Sequence, residues 1–265
     1  LHDFANAPFA RSIDASSPAY PQTTQYRRNM IMVDADPAHS YVVDVFRVDG
    51  GKEHDYSLHG PPGTVTPLDG IWSAPAPGTL AGPDVKWGEM YDNPKLAAKD
   101  YKGSYGSYAG SGFQYLSQVQ ELQNGKSELQ YAHIKDAKAQ LRIHLLPTQE
   151  QKVYMADAYD LPRRKSYTVK YLIARRKSTD GKPLKSTFVS VLETYGDAPF
   201  IKSTKTLDLT KGQGVAVEVQ RQNATDVILS DPTNSVKVLS QYDLETDAAS
   251  AVVTFNSAGE ATRVF

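Results

Sequence analysis

The run Tyr41-Val-Val-Asp-Val-Phe-Arg-Val-Asp-Gly-Gly-Lys-Glu-His-Asp-Tyr-Ser-Leu-His-Gly60 decides how this chain folds. Tyr41 to Val48 is rich in β-branched and aromatic residues, the composition of a strand buried on one or both faces. Asp49-Gly50-Gly51 supplies a turn, because glycine takes positive φ without steric cost. His54 to His59 then reads as a returning arm, and the two arms are expected to pair as a hairpin. Side chains alternate across a strand. Val42, Asp44, Phe46 and Val48 therefore share one face, and Tyr41, Val43, Val45 and Arg47 share the other. On the second arm Asp55, Ser57 and His59 point one way, while His54, Tyr56 and Leu58 point the other.

Asp44 sits between apolar neighbours and is expected to be buried. A buried carboxylate needs a partner, and Arg27 or Arg28 is the expected one. The histidines of the second arm lack a third ligand at metal-site spacing. A satisfied polar cluster is thus weighed above a ligand-bridging one, and no metal ligand is assigned.

Length and composition set the bounds. The 265 residues allow one large β domain, or a domain with a small appendage. Basic and acidic residues number 29 and 30, so no overall field favours nucleic acid or another polyanion. No apolar run is long enough for a membrane helix. Zero cysteines exclude disulfides, thiolate catalysis and cysteine–zinc sites. No signal peptide is visible, and a chain that opens on Leu1 reads as a piece of something longer. Sixteen tyrosines suit strands and aromatic loops better than helices.

Along the chain, residues 1–25 read as an irregular lead-in with one or two short edge strands. Tyr26–Asp34 follows as the first firm strand. Residues 60–112 are dense in proline and glycine, yet hold Trp72, Trp87, Tyr91, Tyr101, Tyr105 and Tyr108. A loop of this length is usually functional or disordered, and its aromatics argue against disorder. Three readings stay open: a loop that packs its own rings on a sheet, an aromatic platform for sugar, and simple disorder. Strands are then expected at Phe113–Leu122, Glu128–Ile134, Ala139–Leu145, Lys152–Tyr159, Thr168–Arg176 and Leu184–Tyr195. Asn124-Gly125 and Asp180-Gly181 read as hairpin turns among them. His144, on a face with Arg142 and opposite Ile143, reads as structural. Arg163-Arg164-Lys165 and Arg175-Arg176-Lys177 read as solvated strand ends, with an anionic-sugar contact as the other reading.

After Pro199 the strands shorten: Thr204–Leu209, Val215–Gln220, Val227–Leu229, Val236–Ser240, Ala251–Phe255 and Thr262–Phe265. The expected fold is all-β: an antiparallel β-sandwich over residues 1–200 and a small C-terminal β subdomain over 201–265. Asn223-Ala224-Thr225 matches a glycosylation sequon, a triplet that also arises by chance. No phosphate loop, nucleophile elbow or His-Glu-x-x-His helix occurs.

The 41–60 run also resembles the β-sandwich part of heparinase II/III-like polysaccharide lyases. Tyr26-Arg-Arg-Asn-Met-Ile-Met-Val-Asp34 is similar to the preceding strand of that family. Leu184-Lys-Ser-Thr-Phe-Val-Ser-Val-Leu-Glu193, followed by Pro199-Phe-Ile201, matches a later passage in the right order. The resemblance implies a parent with an N-terminal helical toroid and an antiparallel β-sandwich, acting by β-elimination on a uronic acid. It implies a periplasmic or secreted location, an acidic glycan as partner and the toroid as neighbour. The family's catalytic tyrosine and histidine belong to the toroid and the sandwich entrance. Its zinc-binding His-x-His motif precedes the strand matched by Tyr26–Asp34. No His-x-His occurs in this chain, so no catalytic residue, zinc ligand or other cofactor site carries over. The expectation is a lyase's β-sandwich portion that is not catalytic alone, lining a substrate cleft with His54, Tyr56, His59, Trp72 and Trp87. A stand-alone carbohydrate-binding or structural module is the alternative.

Overall fold

The computed structural model describes residues 1–18, 20–91, 111–125, 128–136, 138–159 and 168–265. These residues form twenty strands and two single-turn 3-10 segments, with no α-helix among them. The chain is all-β.

Eight strands make a central sheet. In spatial order they are β1 (Asp3–Asn6), β2 (Ala10–Ser16), β3 (Gln25–Asp36), β4 (His39–Asp49), β13 (Lys185–Tyr195), β10 (Gln140–Leu145), β9 (Glu128–His133) and β6 (Gly63–Pro67). An outer sheet holds β5 (Glu53–His59), β12 (Thr168–Lys177), β11 (Lys152–Tyr159), β8 (Ser117–Gln123) and β7 (Ile71–Trp72). A third sheet takes β14 (Ile201–Leu207), β15 (Val215–Arg221), β16 (Ala224–Ser230), β19 (Ser250–Asn256) and β20 (Ala261–Val264). A ribbon of β17 (Lys237–Leu239) and β18 (Leu244–Thr246) covers its far side.

The alternation in β4 explains the layering. Phe46 and Val48 pack with Phe188, Tyr56, Met155 and Leu172 between the central and outer sheets. Tyr41, Val43 and Val45 pack with Val191, Val217, Ile228 and Val252 against the third sheet. Arg47 also points that way and donates to the Ser230 carbonyl at 2.8 Å. Burial lowers its pKa to about 10. The C-terminal strands thus add a third layer that shares a core with the central sheet.

The expected hairpin does not form. β4 pairs with β3 on one side and β13 on the other, so neither edge is open to β5. β5 crosses to the outer sheet and pairs with β12, His59 facing Tyr171 and His54 facing Arg176. Asp49 to Lys52 is therefore an arch between sheets. Gly50 donates to the Leu184 carbonyl and Leu184 to the Gly51 carbonyl, each at 2.8 Å. The Asn124-Gly125 and Asp180-Gly181 turns behave the same way, linking β8 to β9 and β12 to β13 across two sheets. Turn chemistry reverses the chain but does not choose the partner strand; the already filled edges choose it.

Gly50 is the tightest point of the arch. Its φ is +102°, and a Cβ there would lie 2.3 Å from the Gln22 carbonyl oxygen. Gly50→Ala is expected to cost about 2–3 kcal/mol, through backbone clash added to positive-φ strain. Urea unfolding checks it; a variant within about 0.5 kcal/mol of the parent would show that the arch relaxes freely.

Other boundaries moved for identifiable reasons. Phe113–Tyr115 forms a 3-10 turn after Gly112 (φ 83°), so β8 starts only at Ser117. Residues 60–112 contribute the short strands β6 and β7, which the proline and glycine density hid. Arg163-Arg164-Lys165, Tyr101, Tyr105 and Tyr108 lie outside the described residues.

Candidate functional site

Alternation along β5 puts His54 and Tyr56 on one face of the outer sheet and His59 on the other, while Trp72 lies on β7 and Trp87 on the 80s loop. His54 and Tyr56 point inward. The His54 ring bonds Ser186 Oγ at 2.9 Å through Nδ1 and the Gly50 carbonyl through Nε2, which ties the arch to β13. Tyr56 donates to Asp44 Oδ2 at 2.8 Å and lies 2.8 Å from Ser190 Oγ. Burial, then the Asp44 charge, raises its pKa far above the usual phenol value, so it stays a neutral donor. Both side chains are buried, and buried, fully engaged groups offer no surface to a ligand. Trp72 is half-buried at the other end of the sheet, packed on the inner core, and donates Nε1–H to the Val65 carbonyl at 3.1 Å. The expected joint surface of His54, Tyr56, His59, Trp72 and Trp87 is not brought together.

Asp44 takes its expected partner. It is fully buried and accepts from Arg28 Nε at 2.9 Å, with a second, short bond from Arg28 Nη2. Arg27 instead clasps Asp14 in the central sheet at 2.7 and 3.0 Å.

The outward face is different. Ser57 and Ala158 floor a cleft of about 560 Å³ whose walls carry Trp87, Phe113, Tyr115, Tyr159 and Tyr171. Trp87 is 47% exposed and Tyr159 50% exposed. Their rings meet edge to face, with centroids 5.4 Å apart at 88°, and Trp87 meets Tyr115 at the same distance and 80°. Such pairs fix ring orientation more firmly than area burial alone. The 80s loop reaches this position through two backbone bonds: Leu80 donates to the Leu116 carbonyl at 2.8 Å, and Gly88 to the Gln114 carbonyl at 3.1 Å. The loop thus packs part of its aromatic content on the sheet and leaves Trp87 open.

His59 continues the same face. Its ring stacks on Tyr171 at 4.5 Å and 25°. Below the cleft, Arg175 grips Asp55 with two bonds of 2.8 and 2.9 Å and lies 5.3 Å from the Phe113 ring centroid. Burial raises the Asp55 pKa, and the Arg175 contact opposes that shift. Arg176 points inward, over Phe188 at 4.4 Å, and donates to Gln149 at 2.7 Å. Its pKa falls to about 10 on burial. The Arg175-Arg176 pair is therefore structural on both faces, against the expectation of a solvated strand end. The missed residues come from three places: Phe113 and Tyr115 from the 3-10 turn before β8, Tyr159 from the end of β11, and Tyr171 from within β12, all lining the cleft with Ser57.

His144 is buried between Glu128 (3.4 Å) and Glu193 (3.5 Å), in a structural setting. Among the described residues no three His, Asp or Glu side chains converge as metal ligands. No helix of the described residues is long and apolar enough to cross a membrane.

Stacked sheets with an aromatic cleft on the outermost one place the chain in the class of multilayer antiparallel β-sandwiches. No family model matches it, and no curated protein does. Among solved structures it is similar to the heparan sulfate lyase HepC from Pedobacter heparinus and to a mutant of that enzyme. Each is 8% identical with a TM-score of 0.47, over 86% of this chain. The chain spans 27% of the length of either lyase chain, a distant structural similarity.

Proposed function

We propose that this chain is the β-sandwich portion of a heparinase II/III-like polysaccharide lyase, and that it contacts glycan without eliminating it alone. The observation that carries this is the cleft of exposed rings around Trp87. Flat apolar ring faces match the C–H faces of pyranose rings, and concave, mostly apolar clefts with a few polar groups are typical ligand sites. The order of the three resembling passages supports the lyase parentage. The parent would act on a uronic-acid polymer in a periplasmic or secreted setting, with a helical toroid as this region's neighbour.

Elimination needs a base at the C5 proton and a group that stabilises the carboxylate dianion as it develops. Next to this cleft the one described imidazole, His59, lies flat on Tyr171, and the nearest guanidinium, Arg175, is committed to Asp55. That arrangement supports binding without turnover. A stand-alone carbohydrate-binding module is the second reading, supported by the same cleft. Finding a helical region and a His-x-His motif upstream of Leu1 would favour the lyase parentage.

The test is to incubate the chain with heparan sulfate, alginate and other uronate polymers, following absorbance of the C4–C5 double bond and, separately, binding. Binding without turnover is expected, with Trp87→Ala weakening it about tenfold, the loss of one stacked ring. Sustained turnover abolished by His59→Ala would overturn the proposal.

A further inference from the structure

A second concavity lies in the C-terminal sheet, remote in sequence from the outer cleft. The β15–β16 turn brings Gln222 and Asn223 beside the β19–β20 turn, because Ala224 pairs with Asn256. The Ser240–Tyr242 3-10 turn closes the third side, giving a hollow of about 650 Å³. Its apolar lining includes Tyr242 and Phe255, whose rings pack at 5.0 Å. The Tyr242 hydroxyl is fixed by Glu218 behind it. Asn256 makes one wall rigid: its Oδ1 accepts from the Ala258 and Glu260 amides, both at 2.9 Å, and its Nδ2 donates to Glu260 at 2.9 Å.

The charges choose the ligand. Arg221 is the cation of the lining, and it is spent on Asp226 at 2.7 and 2.9 Å and on the Ala35 carbonyl. The carboxylate of the lining, Asp243, sits at φ +50°, a backbone state uncommon outside glycine and tolerated by aspartate. Gln222, Asn223 and Gln241 are exposed amides around it. Planar amides and a carboxylate accept and donate to vicinal hydroxyls, while a ring covers one C–H face. Among the lining residues an anionic sugar would meet Asp243 with Arg221 already committed to Asp226; the Lys202 ammonium at the rim donates to the Gln222 carbonyl at 3.3 Å.

We propose that this hollow is a second carbohydrate site, selective for neutral, hydroxyl-rich sugar units. It is separate from the Trp87 cleft and independent of its acidic-glycan reading.

Native gel electrophoresis of the whole chain, in gels containing soluble xylan, mannan, galactan or β-glucan, tests it. At least one neutral polymer is expected to retard the chain. Gln241→Ala with Asn223→Ala should cut that retardation at least fivefold, while Trp87→Ala leaves it intact. Both substituted residues are exposed turn residues, and unchanged circular dichroism will show that the fold is kept. Ser257→Trp, which fills the hollow, should abolish retardation. No retardation by any neutral polymer, or retardation that survives both variants, would overturn the proposal, whatever the uronate polymers do at the outer cleft.

Discussion

Asp226→Ala is expected to lower stability by about 4–5 kcal/mol, because it strands buried partners on two sheets at once. The Asp226 carboxylate is fully buried. It accepts from Arg221 Nε and Nη2 at 2.7 and 2.9 Å, from Thr254 Oγ1 at 2.6 Å and from Tyr41 at 2.8 Å. Tyr41 belongs to the central sheet, so this one carboxylate joins β4 to the C-terminal sheet. Burial, then the Asp226 charge, pushes the Tyr41 pKa well above the usual phenol range, so the hydroxyl remains a donor at any working pH. Without Asp226 the Arg221 guanidinium, only 12% exposed, keeps a charge it cannot hydrate. Urea denaturation measures the loss. A variant within about 1 kcal/mol of the parent would mean that the two sheets meet through apolar packing alone.

Asp44→Ala should cost less, about 3 kcal/mol, and the reason is legible in the geometry. Asp44 is fully buried, but the Arg28 side chain is 43% exposed and can turn its charge to water. The Tyr56 hydroxyl keeps Ser190 as a partner. The remaining cost is the lost charge-assisted bonds and the cavity beneath them. Adding Arg28→Met removes the stranded cation, and the double variant should recover part of the loss. Strict additivity of the two changes would show that the pair is not coupled.

Much of this was legible from residue order. Alternation in 41–48 separates the two buried faces of β4, and the apolar setting of Asp44 called for an arginine partner, found in Arg28. The pairing of arms was not legible. Gly50-Gly51 suits a hairpin and an inter-sheet arch equally, and the outcome depends on β3 and β13 filling both edges of β4. β13 lies well over a hundred residues downstream, beyond any local signal. The site was half legible for a related reason. The outward set Asp55, Ser57, His59 was correctly separated from His54, Tyr56, Leu58 by period two, but only the sheet's position in the stack decides which set meets solvent. Once β5 crosses to the outer sheet, His54 and Tyr56 are committed to the interior, and the rings of β11, β12 and the 111–116 segment replace them.

Contact of glycan with the outward rings of the outer sheet should register in the emission of Trp87. The chain has two tryptophans, so Trp72→Phe leaves Trp87 as the sole reporter. Titration with acidic oligosaccharides cut from heparan sulfate or alginate should give a saturable change in Trp87 emission, weakened about tenfold by Tyr159→Ala. Binding measured calorimetrically with no change in Trp87 emission, and with full affinity retained in Tyr159→Ala, would contradict that contact.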